Sequence, residues 1–321
     1  MDFQMRHYDL AVLAYQPHTL RQYRAHALIA GFYQRLMPYR LQDPAPYPVG
    51  GHYGVTRSLV AGLRSLGVDF SYQPCLARTT ARNAIVLAGL DTLRDAIAWR
   101  RSGRCQQLWA GPNIVDHPHQ LDGIIMSPEI DGVVVASDNM RQVFETAEPS
   151  LKGRIRVWPA GVDERYWKPS AASNRDTLLI YNKRMPDFAP QLEDILRGRG
   201  YRCETLNYGE KRWNKYRPRE FRAMLDRAFA CVFLSFNEPQ GIAATEAWSM
   251  DVPTFAYRAE AVRNVSTVPY MTSDTGRYWS DTDELLTLLA TFSSNQFRPR
   301  SWTLANMTDT VCARQLIAMM R

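Results

Sequence analysis

The chain has 321 residues, 45% of them hydrophobic and 22% charged, a composition that fits a folded chain of two domains and excludes a disordered one. No apolar run approaches the roughly 18 residues that cross a bilayer, and Met1 to Tyr8 lacks an apolar leader, so the cytoplasm is the expected compartment. A net charge of +7 favours anionic partners, among them sugar nucleotides, phospholipid surfaces, lipid pyrophosphates and nucleic acids.

Short β-rich apolar runs alternate with helical patterns along the chain. Tyr8 to Tyr15 reads as a strand, and a basic, aromatic helix follows through about Tyr39. Pro44, Pro46 and Pro48 mark a loop that leads into Gly50-Gly-His-Tyr-Gly54, with a helix from there through Leu66. Strands are expected at Phe70 to Gln73 and Ala84 to Ala88, and a helix at Asp91 to Arg101. Gln106 to Ala110 is a strand running into the loop Gly111-Pro-Asn113. Asp131 to Ala136 is a strand whose helix starts near Ser137, where Asp138 and Asn139 suit the first turn. Ile155 to Trp158 is the last strand of this half.

A turn-rich segment, Pro159 to Ser170, precedes a full restart. Strands are predicted at Thr177 to Tyr181, Arg202 to Leu206, Phe229 to Ser235 and Pro253 to Tyr257. Helices are predicted at Gln191 to Arg197, Arg219 to Arg227, up to Ser249, at Thr282 to Phe292 and at Asn306 to Met320. Repeated strand–helix units mean parallel sheets covered on both faces. The restart means two of them, giving domains 1–164 and 165–321. Ligands of such sheets bind beyond the C-terminal strand ends.

Cys75, Cys105, Cys203, Cys231 and Cys312 are dispersed, without metal-ligand spacing, and read as reduced thiols packed as small hydrophobes.

The chemistry concentrates in Ser235-Phe-Asn-Glu-Pro-Gln-Gly-Ile-Ala-Ala-Thr-Glu-Ala247. A buried strand ends at Ser235, and Pro239 suits the first helical position. Gln240, Gly241 and Ile242 then offer backbone N–H groups to an anion at the helix N-terminus, and Gly241 lets a diphosphate come close. Glu238 and Glu246 are eight positions apart, roughly 12 Å along a helix. That is too far for an acid/base pair and right for the two ends of one elongated ligand, with its phosphates between.

This block resembles the Glu-x7-Glu donor site of retaining GT-B glycosyltransferases, especially glycosyltransferase family 4. Val157-Trp-Pro-Ala-Gly-Val-Asp163, ending in Tyr166-Trp-Lys-Pro169, is similar to the interdomain segment of that family, and Gly50-Gly51 resembles its N-terminal glycine loop. The resemblance implies two Rossmann-like domains facing across a cleft, with the C-terminal helix returning to the N-terminal domain. The N-terminal domain would bind the acceptor and the C-terminal domain the nucleotide sugar. It also implies a hexosyltransferase-type enzyme moving a sugar from a nucleoside diphosphate sugar to a hydroxyl, with retention and with neither cofactor nor metal, and no Asp-x-Asp motif to hold a metal is expected.

By the same resemblance Glu246 takes the ribose and Glu238 the transferred sugar, with Gly50, Gly51, Gln240, Gly241 and Ile242 lining the donor. The family carries Arg at the end of the first C-terminal-domain strand and Lys five residues later. Here Tyr181-Asn-Lys-Arg-Met-Pro186 ends that strand, while Phe188 and Ala189 occupy the later positions. Lys183 or Arg184 fills the first role, and the second charge comes from the same pair or from Lys211 or Arg212. Lys183, Arg184 and the helix end at Gly241 would stabilise charge growing on the leaving diphosphate. The family's His-Asp position falls in Trp109 to His119, where Asn113, Asp116, His117 and His119 are candidates, with His52 beside them on the acceptor side. The helix end before Pro253 lacks the glycine of the family and reads Met250-Asp-Val252.

The acceptor is a glycan, a lipid-linked molecule or a small molecule. The basic aromatic stretch Arg21 to Arg40 suits peripheral contact with an anionic membrane. A sugar-nucleotide epimerase of the same fold is one alternative. Another is a protein that binds or glycosylates nucleic acid, suggested by Lys211-Arg-Trp-Asn-Lys-Tyr-Arg217.

Overall fold

The computed structural model describes residues 5–14, 51–171, 174–208, 218–235, 238–258 and 267–321. The expected basic helix of residues 21–40, the proline loop, Gly50 and the segment holding Lys211 and Arg212 lie outside the described residues.

The first six strands are β1 (Arg6–Ala14), β2 (Phe70–Tyr72), β3 (Thr79–Ala88), β4 (Cys105–Asn113), β5 (Gly132–Val135) and β6 (Ile155–Val157). They form one sheet in the order β2-β1-β3-β4-β5-β6. Five more, β7 (Thr177–Lys183), β8 (Arg202–Tyr208), β9 (Ala228–Leu234), β10 (Thr254–Tyr257) and β11 (Gly276–Trp279), form a second sheet in the order β11-β10-β9-β7-β8. Every neighbouring pair is parallel. Helices on both faces explain the unbroken apolar stretches Leu10 to Ala14, Ala84 to Ala88 and Leu178 to Tyr181, all buried.

Helices α1 (Gly51–Ser65), α2 (Leu90–Arg101) and α3 (Asp138–Ala147) accompany the first sheet. Val55, Leu59 and Leu63 make the buried stripe of α1, and this stripe carries the helix back to Gly51, whose neighbourhood is expected as a loop. Ser137 caps α3, its hydroxyl accepting the Met140 N–H at 3.4 Å. Around the second sheet lie α4 (Phe188–Gly198), α5 (Pro218–Arg227), α6 (Ile242–Ser249), α7 (Thr282–Ala290) and α8 (Pro299–Asn306), with α9 (Asp309–Met319) at the end.

Other elements also depart from expectation. β4 runs through Gly111, Pro112 and Asn113, with Asn113 opposite Ala88. The Gly111–Pro112 bond is cis, and a Cβ on Gly111 would lie 1.9 Å from the Val134 carbonyl oxygen, so only glycine fits there. β3 begins at Thr79 because its polar start pairs with Arg6 to Tyr8. β11 is an edge strand of four residues, too short for a period to show. The last predicted helix, Asn306 to Met320, is α9, and α8, with Pro299 in its first turn, precedes it without having been expected.

The chain divides into two compact units. The first holds His52–Pro159 and takes back Cys312–Arg321, and the second holds Ala160–Val311. The C-terminal helix thus returns to the N-terminal unit. Trp158, fully buried, donates its indole N–H to the Cys312 carbonyl at 2.8 Å. In the second unit Gly161 passes so close to Asp309 that a Cβ would meet its backbone at 2.6 Å. Val162 bridges to Thr308 there, its N–H donating to the Met307 carbonyl at 2.8 Å.

Candidate active site

Parallel strands bring their C-terminal ends to one edge of the sheet, and in the second unit β7, β8 and β9 are neighbours there. β7 ends at Lys183 and β8 at Tyr208, in register with each other. One residue earlier Asn182, buried, donates to Asn207 Oδ1 at 2.8 Å and accepts the Met185 N–H at 3.1 Å. That second bond closes a turn in which Arg184, exposed, has φ +76°. A non-glycine residue held in the left-handed region is backbone strain, and such strain gathers at functional sites.

Lys183 forms an ion pair with Glu238, from the segment after β9. Their side chains are 18% and 19% exposed, so the pair is less screened than one on the surface. The Lys183 ammonium also lies 5.4 Å from the centre of the Tyr208 ring. Tyr208 stacks on Tyr181 with centroids 6.3 Å apart, and Tyr181 packs on Phe233 and Phe221. Burial pushes the Tyr181 phenol well above its ordinary range, with Glu238, Tyr208 and Glu246 adding to the effect. The two glutamates of the motif therefore act on one phenol. Tyr208 is raised by burial and by Glu238 as well, with Arg184 opposing.

Helix α6 starts at Ile242, three residues later than Pro239 suggests. The reason is Gly241, which occupies the N-cap with φ +63°; a Cβ there would come within 2.8 Å of the Pro269 ring. No side chain caps the helix. Its start is held by the Ala244 and Thr245 N–H groups, both donating to the Gly241 carbonyl at 3.0 and 3.1 Å. The first N–H groups of a helix have no acceptor within it, so this start offers donors and the positive end of the helix dipole. Downstream, Ala244 to Ser249 are all buried, and Glu246 is 8% exposed.

At the far end of α6 the missing glycine is replaced by Asp251, with φ +59°. Its N–H donates to the Trp248 carbonyl and that of Val252 to the Ala247 carbonyl, both at 2.9 Å, a Schellman closure. The segment expected between the domains braces this helix. Ser249 donates to the Trp167 carbonyl at 2.7 Å, and the Arg300 guanidinium donates to the carbonyls of Trp167, Glu164 and Ser249. Phe188 and Ala189, which stand where a lysine is usual, open α4, with Ala189 buried.

The remaining candidates, Gly51 apart, belong to the first unit. Gly51 and His52 lie in the first turn of α1. Desolvation lowers the His52 imidazole below its ordinary value, and the Asp116 carboxylate pulls it upward, so these two residues share one field. Asn113 ends β4, and its Nδ2 is buried and without a partner among the described residues. Asp116 is exposed, its N–H donating to Gln120 at 2.8 Å. His117 accepts the His119 N–H at 3.4 Å, their rings 5.3 Å apart, while His119 Nε2 lies 3.1 Å from the Ala147 carbonyl. Contrary to the expectation that the chain lacks an Asp-x-Asp motif, such a triplet stands at Asp281–Asp283. It starts α7, where Asp281 accepts the Glu284 N–H at 2.9 Å and Glu284 accepts the Ser280 N–H at 2.7 Å, a reciprocal cap.

Sequence reasoning misses Tyr181, Tyr208 and Asn182. A signal existed in the mirrored pairs Tyr181-Asn182 and Asn207-Tyr208, which only strand register turns into one cluster.

No family model matches the chain, and no curated protein matches it in sequence. Solved structures do match. The chain superposes on lipopolysaccharide outer core galactosyltransferase WaaB in its apo form with a TM-score of 0.53 and 10% identity, covering 96% of this chain and 98% of that one. For sucrose-phosphate synthase from Thermosynechococcus elongatus the TM-score is 0.51 at 12% identity, over 97% and 98%. For the GtfA/B complex it is 0.52 at 10%, over 74% of this chain and only 56% of that one, so this chain spans little more than half of its length. Identity this low establishes architecture alone, and the architecture is GT-B, two Rossmann-like α/β domains in one chain.

Proposed function

We propose that the chain is a glycosyltransferase that moves a sugar from a nucleoside diphosphate sugar to a hydroxyl of a glycan, lipid-linked or small-molecule acceptor, with retention at the anomeric carbon. The observation that carries this reading is the Lys183–Glu238 ion pair beside the uncapped start of α6, with Glu246 buried further along the same helix. The names of two structural neighbours, a galactosyltransferase and a sucrose-phosphate synthase, support the same class.

In this reading the diphosphate lies at the α6 start, where N–H donors and dipole favour an anion. It competes for Lys183, and Glu238 is released to accept hydrogen bonds from the sugar. Arg184 is exposed next to it and adds a second cation. Glu246 accepts from the ribose. The anomeric carbon–oxygen bond breaks with its electron pair going to the diphosphate, the acceptor oxygen bonds to that carbon, and the acceptor proton leaves with the diphosphate. Lys183, Arg184 and the helix start stabilise the charge as it grows. His52, Asn113, Asp116 and His117 serve the acceptor from the first unit, Gly51 lines the donor, and the cations of the chain stand in for a metal.

Thermal-shift measurements with nucleoside diphosphate sugars of each base test the reading, since a ligand of the native state raises its stability. At least one donor should raise Tm and be turned over in the presence of EDTA. Lys183→Ala and Glu246→Ala should each lower kcat/KM by roughly 100-fold or more. Unchanged rates in both variants, or no shift with any donor, would overturn it.

A further inference from the structure

Eleven buried side-chain nitrogen and oxygen atoms of the described residues have no hydrogen-bond partner, and three of them, both amide atoms of Gln240 and the Ser235 hydroxyl, belong to residues between the end of β9 and the start of α6. Two more, the hydroxyls of Thr267 and Thr272, stand on either side in sequence of Pro269, whose ring a Cβ on Gly241 would meet. Gln240 is 9% exposed and Ser235 2%. A buried amide with neither arm satisfied destabilises the state that holds it, and native proteins keep few of them. Gln240 directly precedes the N-cap and follows Glu238 by two positions. It therefore sits between an ion pair and a set of free N–H donors.

The chemistry of the orphan group restricts its ligand. A phosphate oxygen accepts hydrogen bonds and satisfies only the Nε2 arm. Both arms together require a neutral group that donates and accepts, which a sugar hydroxyl or two adjacent hydroxyls provide. We infer that the Gln240 side chain is a specificity-determining element that reads hydroxyls of the transferred sugar. This rests on the glycosyltransferase reading above and adds to it the residue that selects the sugar.

The test compares Gln240→Met, which keeps length and removes the amide, with the unsubstituted protein. Tm without ligand is measured first, then Kd for a bare nucleoside diphosphate, for the sugar nucleotide that binds best, and for analogues epimeric or deoxygenated at single ring carbons. The variant should have an unchanged or higher ligand-free Tm and the same Kd for the bare diphosphate. Its Kd for the best sugar nucleotide should weaken by about tenfold or more, and its preference over at least one analogue should vanish.

Full preference kept in the variant overturns the inference while leaving the glycosyltransferase reading intact. Equal loss for bare diphosphate and sugar nucleotide also overturns it, because the amide then serves the nucleotide. A variant that is less stable without ligand, or does not fold, overturns it too, since an unpartnered amide does not hold a loop together. No binding of any sugar nucleotide by the unsubstituted protein removes the functional reading and this inference with it.

Discussion

Cys75 is exposed and Cys105, Cys203, Cys231 and Cys312 are buried. Burial raises the Cys105 thiol to about 12 and Cys203 to about 11, and pushes Cys231 up as well. The thiolate is the reactive form, so iodoacetamide at pH 8 should modify Cys75 in the native protein and all five cysteines in urea. Native labelling of Cys105 or Cys203, read by mass spectrometry, would contradict this placement. A second residue-scale effect is acid sensitivity. Glu129 accepts from Arg101 and from the Ser127 hydroxyl, each at 2.5 Å, and these bonds hold its carboxyl at about 2 against an ordinary 4.5. A carboxyl lowered in the folded state stabilises it above its unfolded value, and that contribution fades as pH falls from about 4.5 towards 2. Urea midpoints of Glu129→Gln should lie below those of the unsubstituted protein at pH 7, and the two should converge on acidification. A gap that persists at the lowest pH at which the chain folds would rule out the linkage.

At the scale of elements the start of α6 is the sensitive point. Gly241→Ala adds a side chain at φ +63° against the Pro269 ring, a combination of strain and overlap that should destabilise the protein by about 1–3 kcal/mol. It should also weaken donor binding, because the free N–H groups shift with the backbone. Urea unfolding and the donor thermal shift check both parts, and an unchanged midpoint would show that the cap relaxes freely. Much of this element is legible in sequence: the buried strand, the glycine and the two glutamates stand out. The start of the helix does not, because Pro239 suits a first turn and only the left-handed Gly241 breaks the helix after it. The other end is misread for a related reason. Asp251 takes a conformation usually given to glycine, and the surrounding Arg175 and Arg300 hold it there by bonding its carbonyl and carboxylate.

At the scale of the molecule, the first unit depends on the last turns of the chain. Trp158 is fully buried and its indole binds Cys312, 154 positions away. Trp158→Ala should lower unfolding free energy by about 3–5 kcal/mol. Trp158→Phe, which keeps most of the volume but removes the indole N–H donor, should cost about 1 kcal/mol. Equal urea midpoints for the two variants would show that the hydrogen bond, not the packing, carries the contribution.

The alternation of apolar strands with amphipathic helices, its restart after the turn-rich segment Pro159 to Ser170, and the parallel sheets that follow from both were determined by sequence alone, because a two-residue or 3.6-residue period is a local property. The candidate glutamates, Gly241 and the Lys183-Arg184 pair were determined in the same way, as residue types at fixed spacing. What joins them was decided only by tertiary structure. Lys183 meets Glu238 across 55 positions and Asn182 meets Asn207 across 25. Tyr181 collects the influence of both glutamates only because β9 lies beside β7. Strand order sets those neighbours, and it follows from how whole elements bury their faces against one another rather than from any short window of the chain.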